Sequence, residues 1–374
     1  MPDLPRSSPL GDIHVALGAT FTDFAGWSMP VKYSSDLAEH HAVRTAAGIF
    51  DISHMGEISV RGARAGEFLD ATLAGRLSVL ELMQAKYTLL LNDHGGVVDD
   101  LIVYRNGDAE YLVVANASNR EVVAEALRAA AGPFDVAVTD VSDGIALIAV
   151  QGPRAQDILE STHGLDVVAG QASLADVRYY RATAATFAEG NVFIGRTGYT
   201  GEDGFELYVD VRDAAALWSA LTVAGAPLGL VPAGLACRDT LRLEAGMPLY
   251  GHELGADLLP QQAGLGRVVA LTKDSDFPGR AAVEAGPAAG SRVLVGLVAE
   301  GRRAGRAGYA VLSADGDVVG EITSGALSPT LGHPIALAYV DPDSAAVGTP
   351  LAIDVRGSRI PATVTSPPFY SRKK

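Results

Sequence analysis

Three stretches of this 374-residue chain carry residue types that could do chemistry together. The first is Arg196-Thr197-Gly198-Tyr199-Thr200-Gly201-Glu202-Asp203-Gly204-Phe205-Glu206. Its closely spaced glycines imply backbone turns or the close approach of a ligand, and the loop enters a strand whose second residue is Glu206. A carboxylate taken out of water needs donors to offset its desolvation. A heterocycle edge with two parallel N–H groups would supply them in a bidentate arrangement; an exposed acidic hairpin fits the same residues. The second stretch is Asp99-Asp100, which follows Gly95-Gly96 and begins a strand over 101–104. Alternation puts Asp100, Ile102 and Tyr104 on one strand face and Asp99 on the other, so one acid is expected in a turn or cap and the other toward a pocket. Tyr87 and Asn116 on neighbouring strands add a phenol and an amide, although an Asp pair after Gly-Gly is also an ordinary turn feature. The third is Arg238-Asp239-Thr240-Leu241-Arg242-Leu243-Glu244-Ala245-Gly246. It reads as a helix with Arg238 and Arg242 on one face and Asp239 able to pair with Arg242. Surface ion pairing fits this pattern, and so does an arginine that holds a carbonyl or anionic group of a ligand.

Other chemistries lack their signatures. The eight histidines are dispersed, with no His-Glu-x-x-His or Cys-x-x-Cys spacing. Phosphate-binding, dinucleotide-binding and nucleophile-elbow glycine patterns are missing as well. Cys237 is the only cysteine, which excludes an intramolecular disulfide and points to a reducing compartment. A formal charge of −15 weighs against broad nucleic-acid or anionic-membrane binding. The longest apolar runs, such as 145–150, are strand-sized, and the opening residues lack a secretory pattern, so a cytoplasmic protein is the expectation.

Elements must position these groups, and the chain is long enough for two or three domains. Helices are expected over 63–73, over 122–130 behind a capping box at Ser118 to Glu121, and over 213–223. Strands are expected over 87–91, 101–104 and 111–115, the last two joined at Asn106-Gly107. Further strands fall over 187–195, with a turn at Gly190-Asn191, and over 205–211. After about residue 290 short strand-like runs dominate (293–297, 309–312, 318–322, 335–340, 351–355 and 360–364), the pattern of a small barrel or sandwich.

Longer motifs join these pieces. They are Asp23 to Val31, Phe50-Asp51-Ile52-Ser53-His54-Met55-Gly56-Glu57, Gly95 to Val103, Arg196 to Glu206, Gly234 to Glu253, Thr323 to Leu331 and Pro368-Phe369-Tyr370. In this order they resemble the aminomethyltransferases, or T-proteins, of the glycine cleavage system, and the likeness runs nearly end to end. The resemblance implies an α+β, three-domain folate-binding aminomethyltransferase fold with a C-terminal β-barrel. The first domain would be discontinuous (1–58 plus 140–250), the second would take 59–139 plus 251–288, and the barrel 289–374.

The reaction it implies moves an aminomethyl carbon from the S-aminomethyl-dihydrolipoyl arm of H-protein to tetrahydrofolate. Methylenetetrahydrofolate, ammonia and dihydrolipoyl H-protein result. Tetrahydrofolate is then a co-substrate, with no metal or nucleotide, and lipoylated H-protein is the partner, with no nucleic acid and no membrane. By position, the family's essential aspartate falls on Asp100. Its folate contacts fall on Tyr87, Asn116, Tyr199, Glu206 and Arg238, and Met55, Ile102 and Tyr104 are implied pocket walls. A carboxylate at Asp100 could orient the folate nitrogens and relay a proton. Arg302, Arg303 and Arg306 form a cationic turn that fits partner docking, a contact to the folate tail, or plain solvation. Departures occur at Pro260-Gln261-Gln262-Ala263, where many relatives carry Pro-Leu-Glu-Ala, and at Arg267. A folate-dependent demethylase is the rival enzyme. A folate-binding protein of iron–sulfur cluster maintenance is the non-catalytic rival, and the Lys-Gly-Cys-Tyr motif of those relatives is missing around Met247 to Glu253.

Overall fold

The computed structural model describes residues 4–372; Met1 to Asp3 of the opening segment and the terminal Lys373 and Lys374 lie outside it. Helices and strands are mixed, and the chain divides into two compact units. The first holds the described residues up to Leu69, with Leu77–Tyr87 and Leu101–Arg238; the second holds Asp70–Arg76, Thr88–Asp100 and the described residues from Asp239 onward.

A seven-stranded sheet organises the first unit. Its strands run in the order Leu165–Val167, Ala182–Phe187, Gly190–Gly195, Gly204–Asp210, Ile145–Gln151, Ala47–Asp51 and Leu230–Pro232. Strand alternation sends Val192, Ile194, Phe205, Leu207, Val209, Ile148 and Val150 to one face. There they pack with Ile158 and Leu159 of helix Ala155–Glu160 and with Leu217, Trp218 and Leu221 of helix Ala214–Gly225. Full burial of each such side chain stabilises the fold by about 1.5–3 kcal/mol. The same alternation sends Gly195, Glu206, Tyr208, Ala149 and Gln151 to the opposite face.

The other sheet runs Ala85–Leu91, Val97–Gly107, Glu110–Ala115, Gly56–Arg61 and Ala137–Asp140. The chain passes from the second unit to the first within strand Val97–Gly107, between Asp100 and Leu101. Both Asp99 and Asp100 therefore lie inside a strand, and the turn or cap expected for one of them is not found. Asp99 faces inward with Leu101 and Val103 and is fully buried, whereas Asp100 is half-buried. The preceding glycines are required by crowding. A Cβ on Gly96 would stand 1.7 Å from the Ala256 carbonyl oxygen, and Gly95 has φ +81°.

Local details depart from the sequence expectations. Asn106-Gly107 is not the hairpin turn: a register shift between Arg105 and Gly107 absorbs it, and the strands close over Asp108 and Ala109. The next hairpin likewise turns at Ala188 and Glu189, not at Gly190-Asn191, with Ala188 at φ +53°. The capping box does not form, because a 3-10 turn over Ala117–Asn119 takes in Ser118 and helix Arg120–Ala131 starts earlier than expected.

The barrel expected after residue 290 is present in the second unit. Val293–Ala299, Pro334–Val340, Val318–Leu327, Ala310–Leu312, Pro350–Val355 and Ser358–Thr365 close on themselves around Leu297, Val311, Ile322, Ala338, Val340 and Ile353. Arg242, with only 1% of its surface exposed, pairs with Asp239 at 2.9 Å and Glu253 at 3.1 Å and donates to Ser324 at 2.7 Å. It is a structural strut of this unit, so the surface pairing considered for it gives way to burial. Among the described residues no helix is long and apolar enough to cross a membrane.

Candidate active site

Glu206 lies on the face of the seven-stranded sheet opposite the helices and is largely buried there. Glu206 stands opposite Gly195 on one neighbouring strand and Ala149 on the other. Neither neighbour has a side chain tall enough to cover the carboxylate, and Gly195 leaves room for a phenol. A Cβ there would lie 2.4 Å from the Tyr104 hydroxyl. Tyr104 reaches in from strand Val97–Gly107, edge-on to Phe193 at 5.2 Å and to Tyr208 at 5.9 Å. Its hydroxyl meets Thr197 Oγ1 at 2.7 Å, and Thr197 donates to Glu206 Oε2 at 2.6 Å. One carboxylate oxygen is thus occupied from inside the protein, and among the described residues no donor reaches Oε1.

Arg238 faces the same carboxylate. Its guanidinium stacks over the Tyr199 ring at 4.9 Å, the geometry of a cation–π contact. Burial pulls its pKa down from the usual arginine value, while the charge of Glu206 and the Tyr199 phenol raise it. Arginine stays charged through such a shift. Burial pushes Glu206 above the ordinary carboxylate range, against the Thr197 hydrogen bond and the Arg238 charge, which lower it. Nearby His54 is held neutral: burial first, then the Arg238 charge, bring it down to about 4. Phe24 packs edge-on against the His54 ring at 5.4 Å. Arg238 Nη1 and His54 Nδ1 are both shut off from solvent with no partner among the described residues. Buried polar atoms of this kind are uncommon and call for a bound partner.

The loop that carries Thr197 and Tyr199 is clamped from below. Gln151 donates to the Thr197 carbonyl at 3.1 Å and accepts from Thr200 at 3.0 Å. Gly198 and Gly204 exist to admit that amide, since a Cβ on either would lie within 2.5 Å of it. Arg44 adds bonds to the Thr200 carbonyl at 2.7 Å and to Glu202 at 2.9 Å. The glycine spacing read as ligand approach thus reflects, at two of its positions, approach to the protein's own Gln151. Gly201, at φ +78°, supplies the turn.

The fold brings together Tyr104, Tyr199, Glu206 and Arg238 of the expected site residues. Tyr104 is fully buried and meets the carboxylate through Thr197. Met55, Tyr87, Ile102, Asn116 and Tyr199 are half-buried and keep accessible surface. In the second unit, the Tyr250 phenol is raised by burial and then by the charges of Asp99 and Asp100, so the three form one local group. Sequence reasoning missed Thr197, Gln151, Arg44 and His54 as site-builders. His54 lies inside the Phe50 to Glu57 motif, but nothing in its spacing marks it as a pocket residue.

The arrangement offers an acceptor at Glu206 Oε1 beside a charged Arg238 and a neutral His54. A flat, uncharged heterocycle with paired N–H donors and ring acceptors matches that set.

Family models and known proteins agree with the fold. Residues 10–273 match the GCVT N-terminal domain, and residues 292–371 match the glycine cleavage T-protein C-terminal barrel domain. An aminomethyltransferase of Cutibacterium acnes is 58% identical, covering 98% of this chain and 99% of that protein. One of Streptomyces coelicolor is 55% identical over 99% of this chain and 98% of its own length. The crystal structure of glycine cleavage system aminomethyltransferase T from Bartonella henselae superposes with a TM-score of 0.89 at 35% identity, covering 98% of both chains. Matches of this extent reach both units, and the chain belongs to the glycine cleavage T-protein family of enzymes that transfer an aminomethyl group.

Proposed function

We propose that the chain takes the aminomethyl carbon from the S-aminomethyl-dihydrolipoyl arm of a lipoylated H-protein. It passes that carbon to tetrahydrofolate, yielding 5,10-methylenetetrahydrofolate, ammonia and the dihydrolipoyl arm. The observation that carries the acceptor assignment is the Glu206 carboxylate, with Oε2 held by Thr197 and Oε1 without a donor among the described residues. The aminopyrimidinone edge of a pterin presents two parallel N–H donors and suits such an acceptor. Arg238 places its positive charge beside that carboxylate. Tyr199 and Asn116 contact the ligand, as does Tyr87, and Met55 and Ile102 form walls.

Asp100 is the proposed catalytic carboxylate. Its strand partner in sequence, Asp99, is fully buried, while Asp100 keeps an accessible face, as a group that meets a substrate must. A fixed carboxylate stabilises iminium-like positive charge as ammonia departs, and it relays a proton between nitrogens during ring closure. The test is methylenetetrahydrofolate formation from aminomethylated H-protein, with and without tetrahydrofolate. Product formation that does not depend on added tetrahydrofolate would sink the acceptor assignment.

A further inference from the structure

The cationic turn at Arg302, Arg303 and Arg306 is half of a larger feature. On the barrel, Arg303, Ala304, Arg306, Tyr309, Val355, Arg356 and Ser358 line a depression of about 480 Å³. Arg302 stands outside it, and Arg356 completes it from the hairpin between Pro350–Val355 and Ser358–Thr365. Three guanidinium groups surround one concavity in a chain whose net charge is −15. Among the described residues none of the three has a carboxylate within ion-pair distance. Arg292, on the same barrel, is neutralised by Asp341 at 2.9 Å. Asp354, next to the pocket in sequence, accepts from its own turn's Gly357 N–H at 2.7 Å.

The two loops are held in place. A Cβ on Gly305 would meet the Ile322 side chain at 2.3 Å, and one on Gly325 would meet the Gly305 carbonyl at 2.4 Å. Those two glycines let the Arg303–Arg306 segment press on the barrel wall. Arg306 also donates to the Gly325 carbonyl at 3.2 Å, and Gly308 N–H and Ile322 N–H bond across the loop's exit at 2.9 Å each. On the other side Arg356 has φ +54°, a region unusual for a long side chain. Its Nε donates to the Tyr309 hydroxyl at 3.2 Å, which fixes the guanidinium at the rim.

Like charges gathered on fixed loops repel one another, and an anion at their centre removes that repulsion while gaining forked N–H···O bonds. The volume is that of a small-molecule site, whereas a protein partner needs a broad surface. We propose that this depression binds a small polyanion, a compact molecule bearing two or more negatively charged phosphate or carboxylate oxygens.

The experiment is calorimetric titration of the full chain at low salt with inorganic pyrophosphate in one arm and citrate in the other. The expected result is saturable binding of one anion per chain, with the stronger arm naming the source. Arg303→Gln and Arg356→Asn should each weaken it about tenfold or more, the scale of a lost charge-assisted hydrogen bond. Asn suits the left-handed turn, and unchanged melting midpoints check that the barrel is intact. Raising the salt should weaken binding further. The proposal is overturned if neither anion gives saturable heat. It also fails if Arg128→Gln, an exposed arginine in helix Arg120–Ala131, weakens binding as much as the pocket variants. A third contrary result is a rise in the Michaelis constant for aminomethylated H-protein with anion affinity unaltered, which would make the patch a protein-docking surface instead.

Discussion

Replacing Thr197 by valine tests whether Glu206 is tuned from behind. The substitution keeps the branched shape and deletes a hydroxyl that accepts from Tyr104 at 2.7 Å and donates to Glu206 Oε2 at 2.6 Å. A hydrogen bond to a charged group contributes about 1.5–3 kcal/mol. Thr197 is among the influences that lower the Glu206 pKa, opposing burial, so its loss must move that carboxyl further up. A protonated acid presents an O–H where the ligand needs a second acceptor. The Michaelis constant for tetrahydrofolate should therefore rise at neutral pH by about tenfold or more, one pKa unit being worth about 1.4 kcal/mol. Raising the pH should shrink the defect, because alkali restores the ionised form. Thr197→Ser should behave like the parent, which separates loss of the hydroxyl from a change in packing. The assay is initial-rate kinetics across a pH series, with melting midpoints as the check on folding. The orphaned Tyr104 hydroxyl should lower stability by about 1–3 kcal/mol without unfolding the chain. A folded Thr197→Val enzyme with an unchanged Michaelis constant and an unshifted pH profile would refute the reasoning.

Asp100→Asn should cut turnover by about two orders of magnitude or more with folding little changed, the scale of a positioned acid–base or electrostatic group. Asp99→Asn should spare turnover by comparison and act on stability, because Asp99 is fully buried beside Leu101 and Val103. Equal losses of turnover in the two variants would remove Asp100 from its role. Glu206→Gln should weaken tetrahydrofolate binding by about 1.5–3 kcal/mol in calorimetry, since charge assistance is lost and one acceptor becomes a donor; unaltered affinity in a folded variant contradicts the pterin contact. Glu57 gives a pH prediction. Both its carboxylate oxygens are buried without a partner among the described residues, and burial first, then the Asp140 charge, hold its pKa well above 4.5 against the pull of Arg120 and Ser142. Above pH 4.5 the unfolded chain sheds this proton while the folded one keeps it. Stability must then fall as pH rises toward the folded value, by about 1.4 kcal/mol per unit. Glu57→Gln abolishes that slope, so its advantage over the parent in urea unfolding should grow with pH. Parallel stability curves from pH 5 to 8 would show that Glu57 does not hold its proton.

The barrel was legible because its strands alternate and their turns carry glycine or proline. Six runs expected after residue 290 all became strands of one closed barrel. Turn placement was harder, and parity explains why. Moving the hairpin from Gly190-Asn191 to Ala188 and Glu189 shifts the pairing by four residues, an even number that leaves every side chain on the same face. Val192 and Ile194 stay in the core under either turn, so the apolar pattern could not choose between them. At Asn106-Gly107 the favoured turn dipeptide lost to a register shift that closes the strands over Asp108 and Ala109.

Legibility at the site divides along the same line. Glu206 was readable because a carboxylate on an apolar strand needs an explanation, and Arg238 because a helix displayed it. What leaves one oxygen of the carboxylate without a donor is written across strands, not along one. The register sets Glu206 between Gly195 and Ala149 and puts Gln151 against Gly204. Those pairings join residues as distant as Ala149 and Glu206, and no local spacing encodes them. They admit the Tyr104 hydroxyl and seat Thr197 on one oxygen of the carboxylate. The proposed selectivity for paired donors follows from that one-sided occupation. With Thr197 on Oε2, a ligand must satisfy Oε1 directly and share Oε2 along its remaining lone pair, which a bidentate N–H edge does and a lone hydroxyl does not. The small residues beside Glu206 therefore belong to the proposed recognition device as much as the carboxylate does, although neither Gly195 nor Ala149 has a functional group to announce it.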